Sequence, residues 1–127
     1  MRYHSTRNKN LKYTSKEAIR QGLSPDGGLF VPEVIPCITQ DELKKWISLD
    51  YRQRAKKIFS LFLTDYSWEE LDACVDEAYT PAKFSSPEIA PLVSLGEGLY
   101  ILELWHGPTS AFKDMALQIL PHILTKS

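Results

Sequence analysis

The sequence predicts a mixed α+β fold with four or five helices and a small sheet, and three observations support this. The length of 127 residues suits one compact domain. Three Ser or Thr residues are each followed three positions later by Glu, which is the spacing of a capping box at a helix start. Short apolar segments bounded by Gly or Pro occur near both ends of the chain and predict strands.

The composition is that of an ordinary globular protein and excludes several functional classes. Hydrophobic residues make up 43% of the chain and charged residues 24%, and the net charge of −1 gives no general electrostatic reason to bind nucleic acid. No apolar run is long enough to cross a bilayer, and no signal-peptide pattern opens the chain, so we expect a cytoplasmic protein. Cys37 and Cys74 are predicted to be reduced, buried packing residues, and with the three histidines they show no metal-ligand spacing.

The first thirty residues predict a strand, a helix and a tight turn. Residues 2–6 form the predicted strand. Thr14 and Glu17 have the capping-box spacing, so the first helix should begin directly after Thr14 and end near Gly22. The segment Ser24–Gly28 is a turn because its proline, aspartate and glycines each favour turn geometry, and a brief apolar strand follows it.

Three further helices are predicted between residues 40 and 80. The first of them covers roughly 40–47 and begins with a second capping-box pair, and the next covers roughly 49–63. Ser67 and Glu70 form the third pair and open the last of the three. The apolar face of that last helix should consist of Leu71, Cys74, Val75 and Ala78.

The remaining residues predict a linker, a hairpin and one bent helix. Residues 80–90 are irregular, and 91–95 and 99–104 are apolar segments that can pair across a glycine-containing turn. The last helix should begin near Lys113, and its apolar residues follow the three- and four-residue spacing of a helix. Pro121 should bend it, because proline cannot donate the backbone hydrogen bond to the preceding turn.

Lys113 has an unusual predicted position, on the first turn of a helix that follows a strand and a loop. Ligands bind at such junctions in open α/β sheets. The helix dipole and the apolar neighbours Ala111, Phe112 and Met115 favour the neutral amine, which is the form that reacts with an aldehyde, whereas Asp114 favours the charged form. The alternative from composition alone is an ordinary exposed helix lysine.

Three segments resemble the threonine synthase family, in the order in which the family has them. The segment His106–Asp114, followed by Met115-Ala116-Leu117-Gln118, resembles the family's cofactor-lysine motif. Tyr3–Arg7 and Gly22–Pro32 are similar to its opening segments. The resemblance therefore extends over nearly the whole chain, and the combination is far more specific than the Phe-Lys-Asp tripeptide alone.

The resemblance implies a cofactor and a catalytic lysine. Lys113 is implied to hold pyridoxal 5'-phosphate as a Schiff base and, once freed, to carry protons during the reaction. Phe112 is a candidate wall of the cofactor pocket, and His106 and Thr109 are candidates for shaping the loop. The alternatives for these three are a packed aromatic ring, a loop-stabilising histidine and a helix cap.

Ser5, Thr6 and Arg7 are candidates for holding a phosphate group of the substrate. Arginine pairs with phosphate through two parallel hydrogen bonds, and hydroxyl groups add further donors. A polar strand end is the alternative interpretation of the same residues. The turn around Asp26, by contrast, is predicted to be structural, since its glycines allow unusual backbone angles.

The reaction implied by the resemblance converts O-phosphohomoserine and water into threonine and phosphate. The complete enzyme is implied to have the α/β fold of fold-type-II pyridoxal-phosphate enzymes. Within this chain, residues 1–80 would form the family's N-terminal domain of a strand and helices. Residues 81–127 would begin the cofactor-binding domain with a strand, a loop and the lysine-bearing helix.

The family's Gly/Ser/Thr-rich loop, which grips the cofactor phosphate, has no counterpart among these residues. Gly96-Glu97-Gly98 is predicted to be a hairpin turn and opens no helix. We therefore expect this chain to be the N-terminal portion of a longer enzyme, inactive alone, with the remaining parent chain as its partner. Alone it should self-associate or leave residues 105–127 poorly packed.

Two alternatives remain at this stage. Another fold-type-II enzyme, such as a threonine dehydratase or a cysteine synthase, would use the same kind of lysine on a different substrate. A non-catalytic interaction or scaffold domain would make Lys113 ordinary surface, and the missing phosphate loop favours it.

Overall fold

The computed structural model describes all residues from Met1 to Ser127 and contains two small antiparallel sheets and six helical segments. This confirms the predicted mixed α+β fold. In chain order the elements are β1 (Tyr3–Ser5), β2 (Lys12–Tyr13), α1 (Ser15–Gln21), β3 (Phe30–Pro32), α2 (Gln40–Trp46), α3 (Tyr51–Phe62), α4 (Trp68–Ala78), β4 (Leu92–Gly96), β5 (Leu99–Leu102), α5 (Asp114–Leu117) and α6 (Leu120–Thr125).

The first sheet has the strand order β2–β1–β3, with β1 in the centre and both neighbours antiparallel to it. Tyr3 pairs with Tyr13 on one side and with Pro32 on the other. Strand β2 was not predicted, because two residues are too few to show an alternating pattern and their partner lies elsewhere in the chain.

The helices begin where the capping-box spacing predicts. Thr14, Thr39 and Ser67 each accept a hydrogen bond from the backbone of the Glu three positions later, and each Glu side chain accepts one in return. A fourth capping box, which the sequence analysis missed, joins Asp50 to Gln53 at the start of α3. These bonds satisfy backbone N–H groups that a helix start leaves free.

The hydrophobic core forms where α4 packs against α3 and α6. The predicted apolar face of α4 is confirmed, with Val75 and Ala78 fully buried and Leu71 only 2% exposed. Ile119 and Ile123 from the end of the chain join the same cluster. The end of the chain is therefore packed on the core through these two side chains. The poor packing expected for residues 105–127 is limited to their other side chains, such as the exposed Leu120 and Leu124.

Two predictions about single residues or elements are wrong. Cys37 is exposed, whereas Cys74 is buried as expected. The predicted last helix is two segments, α5 and α6, separated at Gln118 and Ile119, because Pro121 lies in the first turn of α6 and favours a new helix start there. No helix in the structure combines the length and the apolar character that crossing a membrane requires.

The second sheet is the predicted hairpin of β4 and β5, with Leu92 opposite Leu102. A turn at Gly96, Glu97 and Gly98 connects the strands, and all three residues have positive φ, which glycine adopts without strain. Both strands are exposed along their whole length, although they carry mostly large apolar side chains.

The Lys113 loop as the candidate functional site

Lys113 lies at the junction between the loop after β5 and the first turn of α5, as the sequence predicts. Its backbone is helical, with φ −60° and ψ −25°, and its carbonyl accepts hydrogen bonds from the N–H groups of Ala116 and Leu117. Because α5 has only four residues, its dipole is weaker than that of the long helix predicted from sequence. The lysine side chain is exposed.

Lys113 borders an open groove of about 600 Å³. The ring of Phe112, which is 67% exposed, lies on the same groove, and α3 contributes Tyr51 and Arg54. The remaining wall is apolar and comes from the linker, from the end of β5 and the residues after it, and from α5: Ala90, Leu102, Leu104, Met115, Ala116 and Leu117. The ion pairs of the structure all involve other residues, so the Lys113 ammonium has no carboxylate partner.

The carboxylate of Asp114 does not pair with Lys113, contrary to the effect considered from sequence. Asp114 is fully buried, and its oxygens accept hydrogen bonds from the backbone N–H of Thr109 at 2.8 Å and from the Thr109 hydroxyl at 3.0 Å. The Asp114 side chain therefore holds the loop before the lysine through Thr109 and forms no ion pair with the Lys113 amine.

His106 is held between a carboxylate and a hydroxyl group. Its Nε2 lies 2.7 Å from Glu103 Oε2, and its Nδ1 lies 3.0 Å from Ser85 Oγ. The backbone N–H of Ser85 also donates to the carbonyl of His106. These contacts join the loop to the preceding linker, so the structure places His106 and Thr109 together with Phe112 and Lys113 in one loop.

Ser5, Thr6 and Arg7 form a separate cluster around the turn that contains Asp26. The buried Ser5 hydroxyl donates to Asp26 Oδ1 at 2.7 Å, and Arg7 donates to the Asp26 carbonyl at 3.1 Å. The hydrogen bond from Ser5 lowers the pKa of Asp26. Gly28 is required beside it, since a Cβ there would lie 2.1 Å from Ser5 Oγ. The cluster shares no hydrogen bond with the Lys113 loop.

Two tyrosines, which were not predicted as supporting residues, join the segment after Lys113 to the core. Tyr79 donates its hydroxyl to the carbonyl of Met115 at 2.6 Å, and Tyr66 donates to the carbonyl of Ile123 at 3.0 Å. Burial raises the pKa of Tyr66 to about 12 and also raises the pKa of Tyr79. No local pattern indicates these bonds, because the partners lie far apart in the chain.

Comparison with known proteins agrees with the sequence motifs. Residues 2–79 match the family model described as "Threonine synthase N terminus". Threonine synthase from Schizosaccharomyces pombe is 41% identical over 123 residues, which is 95% of this chain and 24% of that protein. "Threonine synthase-like 2" from Xenopus laevis is 37% identical over 126 residues, 98% of this chain and 26% of the relative.

A solved structure shares the fold as well. The crystal structure of pyridoxal-phosphate-bound threonine synthase from Brucella melitensis superposes with a TM-score of 0.92 and 31% identity, covering 99% of this chain and 27% of that one. The chain thus spans about a quarter of the length of its relatives. Since the family model covers more than half of the chain and the relatives align with almost all of it, the chain belongs to the threonine synthase family.

Proposed function

We propose that this chain is the N-terminal, lysine-bearing portion of an enzyme that converts O-phosphohomoserine and water into threonine and phosphate with pyridoxal phosphate. The main observation in support is that Lys113 belongs to the segment resembling the family's cofactor-lysine motif, borders a mainly apolar groove and has no ion-pair partner. The family membership and the cofactor-bound relative from Brucella melitensis support it.

The residues around Lys113 fit this cofactor. A primary amine without a carboxylate partner is the group that an aldehyde requires, and Phe112 offers an exposed ring against which a pyridine ring can pack.

Pyridoxal phosphate, when bound, supplies an electron sink for carbanions at the substrate's carbon atoms. The chain's own contribution is to hold it and to move protons. Lys113 Nζ would hold the cofactor through its amine and would accept and return protons at that nitrogen. Phe112 would orient the cofactor ring, and His106 and Thr109 keep the loop in place through Ser85, Glu103 and Asp114.

Arg7 is the strongest candidate in the proposed substrate-phosphate group. Its guanidinium is exposed and donates from Nη1 to Asp26, which leaves further N–H donors for an anion. Thr6 accepts a hydrogen bond from the backbone of Leu29, and its hydroxyl hydrogen remains available. Ser5 is buried and acts by holding the Asp26 turn beneath Arg7.

The rest of the parent protein is the proposed partner of the hairpin and the groove. We assign residues 1–80 to an N-terminal domain and 81–127 to the start of the cofactor-binding domain, and we place the parent enzyme in the cytoplasm. The exposed apolar side chains of β4 and β5 are typical of a surface that other protein covers. The isolated chain should therefore be inactive toward substrate, even where Lys113 reacts with the cofactor.

The test is the reaction of the chain with pyridoxal phosphate. A visible absorbance band should form, and borohydride reduction followed by peptide mass spectrometry should locate the label on Lys113. Lys113→Ala should lose both the band and the labelled peptide, while Lys9→Ala, which removes an exposed loop lysine, should keep them. Equal labelling of all exposed lysines would contradict the cofactor site and favour the scaffold alternative.

The substrate is tested on the full-length protein. Phosphate release from O-phosphohomoserine with formation of threonine is the expected result. Turnover of threonine or of O-acetylserine without turnover of O-phosphohomoserine would instead favour a dehydratase or a cysteine synthase of the same fold.

A further inference from the structure

The most unusual group in the Lys113 loop is the side chain of Asp114, the residue directly after the lysine. Its carboxylate is fully buried, yet no Lys, Arg or His lies in an ion pair with it. All of its side-chain hydrogen bonds come from one residue, Thr109. Burying a carboxylate without a cation is costly, and an apolar side chain would stabilise a fold better.

The Asp114 carboxylate closes a ring of six residues that includes Lys113. The backbone of Asp114 also donates to the carbonyl of Ala111 at 3.0 Å, so the segment is fixed through both its backbone and its side chain. Within this ring Ser110 adopts φ +55°, a left-handed conformation that a residue other than glycine holds only when its surroundings enforce it. The Thr109–Asp114 bonds provide that enforcement.

Gly107 shows how closely the loop passes Asp114. A Cβ at Gly107 would lie 2.4 Å from the Asp114 Cβ and 2.6 Å from its Oδ2. Only glycine therefore fits at this point of the loop. The loop backbone at Gly107 therefore lies directly against the Asp114 side chain. A change in the position of either one would require the other to move.

We infer that Asp114 is a positioning residue for Lys113, acting through its hydrogen bonds to Thr109. The inference rests on the proposed function, because the geometry that it sets is the position of Lys113 at the groove. Asp114 touches neither the groove nor the amine, and holds the backbone from which the amine projects. Thr109, considered from sequence as a helix cap, is the donor half of this contact.

The experiment compares Asp114→Asn with the pair Thr109→Val and Thr109→Ser. Asn keeps the size but replaces one acceptor oxygen by a donor, Val removes the Thr109 hydroxyl, and Ser keeps it. Two readouts are measured: amide hydrogen exchange of Thr109, and the ratio of borohydride-trapped pyridoxal phosphate on Lys113 to that on the exposed Lys9.

Asp114→Asn should accelerate exchange at Thr109 about 10- to 100-fold, the loss expected for a hydrogen bond to a buried carboxylate. The labelling ratio should fall about tenfold in the same variant and in Thr109→Val, and should return to the wild-type value in Thr109→Ser. Circular dichroism confirms that each variant is folded. A destabilised but folded loop without a positioning role would change exchange and leave the ratio unchanged.

An unchanged labelling ratio in folded Asp114→Asn would overturn the inference while leaving the proposed function intact. Should Asp114→Asn not fold, Thr109→Val decides in its place, and an unchanged ratio there overturns the inference equally. A wild-type chain that labels Lys113 no faster than Lys9 would instead refute the proposed function, and this inference with it.

Discussion

Helix α4 and the β4–β5 hairpin differ in the burial of their apolar side chains. In α4 the apolar residues lie on one face and are buried against α3 and α6. In the hairpin Leu95 and Leu99 are 58% and 60% exposed, although their segment is no less apolar. The apolar face of α4 is thus buried by other parts of this chain, including Ile119 and Ile123, whereas the hairpin exposes an apolar surface of the kind that other protein usually covers.

The Lys113 loop lies between the helical core and the hairpin, and residues in and next to it contact the core and line the groove beside the hairpin. On one side Tyr79 and the core residues Ile119 and Ile123 hold it. On the other side Phe112 and Leu117 are exposed at the groove that the hairpin borders. Lys113 is therefore supported by the core on one side and borders an open groove on the other.

The largest expected effect comes from a matched pair of leucine truncations, one in each region. Leu71→Ala should lower the free energy of unfolding by about 2–5 kcal/mol, because Leu71 is buried in the core and its loss leaves a cavity. Leu99→Ala in the hairpin should change it by about 0.5 kcal/mol or less. Urea denaturation followed by circular dichroism measures both, and equal losses would remove the distinction between the regions.

The exposed hairpin should make the isolated chain associate with itself at high concentration. Leu99→Lys should weaken this association about tenfold or more, since burying one leucine contributes about 1.5–3 kcal/mol. Leu43→Lys, at a comparably exposed leucine on α2, is the control and should leave association unchanged. Sedimentation velocity across a concentration series measures the effect, and a wild-type chain that stays monomeric throughout would contradict it.

The parts of the fold that the sequence predicts correctly are those that depend on neighbours in the chain. The capping boxes at Thr14, Thr39 and Ser67 are local, so their spacing locates α1, α2 and α4 within a residue or two. Strand β2 was missed because it has only two residues and only its pairing with β1 defines it. Cys37 was wrongly predicted to be buried because the general tendency of cysteine ignores its surroundings.

The candidate site follows the same rule. Lys113 could be identified from its local motif and from its place after a strand and a loop. The contacts that support Lys113 could not be predicted. The bond from Tyr79 to Met115 joins residues far apart in the chain, and the bond from Thr109 to Asp114 lies in a loop that follows neither a helical nor a strand pattern. Ser85 and Glu103 on either side of His106 were missed for the same reason.

A smaller effect on stability is expected for a tyrosine that supports the Lys113 loop, compared with a tyrosine on the exposed hairpin. Tyr79→Phe should lower the free energy of unfolding by about 0.5–1.5 kcal/mol, because it removes the hydrogen bond to the Met115 carbonyl and leaves that carbonyl without this donor. Tyr100→Phe, on the exposed hairpin, should have no measurable effect. Thermal unfolding compares the two, and an equal shift in both variants would show that Tyr79 does not anchor the loop.

The smallest expected effect concerns pH and the capping box at the start of α4. Hydrogen bonds, first from the Ser67 backbone and then from Lys16, hold the pKa of Glu70 below its ordinary value of 4.5. A carboxyl group with a lower pKa in the folded state stabilises the fold above about pH 4.5, and this contribution is lost as the pH falls through the folded-state pKa.

Glu70→Gln removes that titration, so its stability should decline less steeply than that of the wild type below pH 4.5. At neutral pH the variant should be slightly less stable, because Gln still completes the capping box but loses the ion pair with Lys16. Glu97→Gln in the exposed hairpin turn is the control. Urea midpoints measured from pH 3 to pH 7 test the difference, and parallel curves for wild type and Glu70→Gln would show that this cap contributes nothing to acid stability.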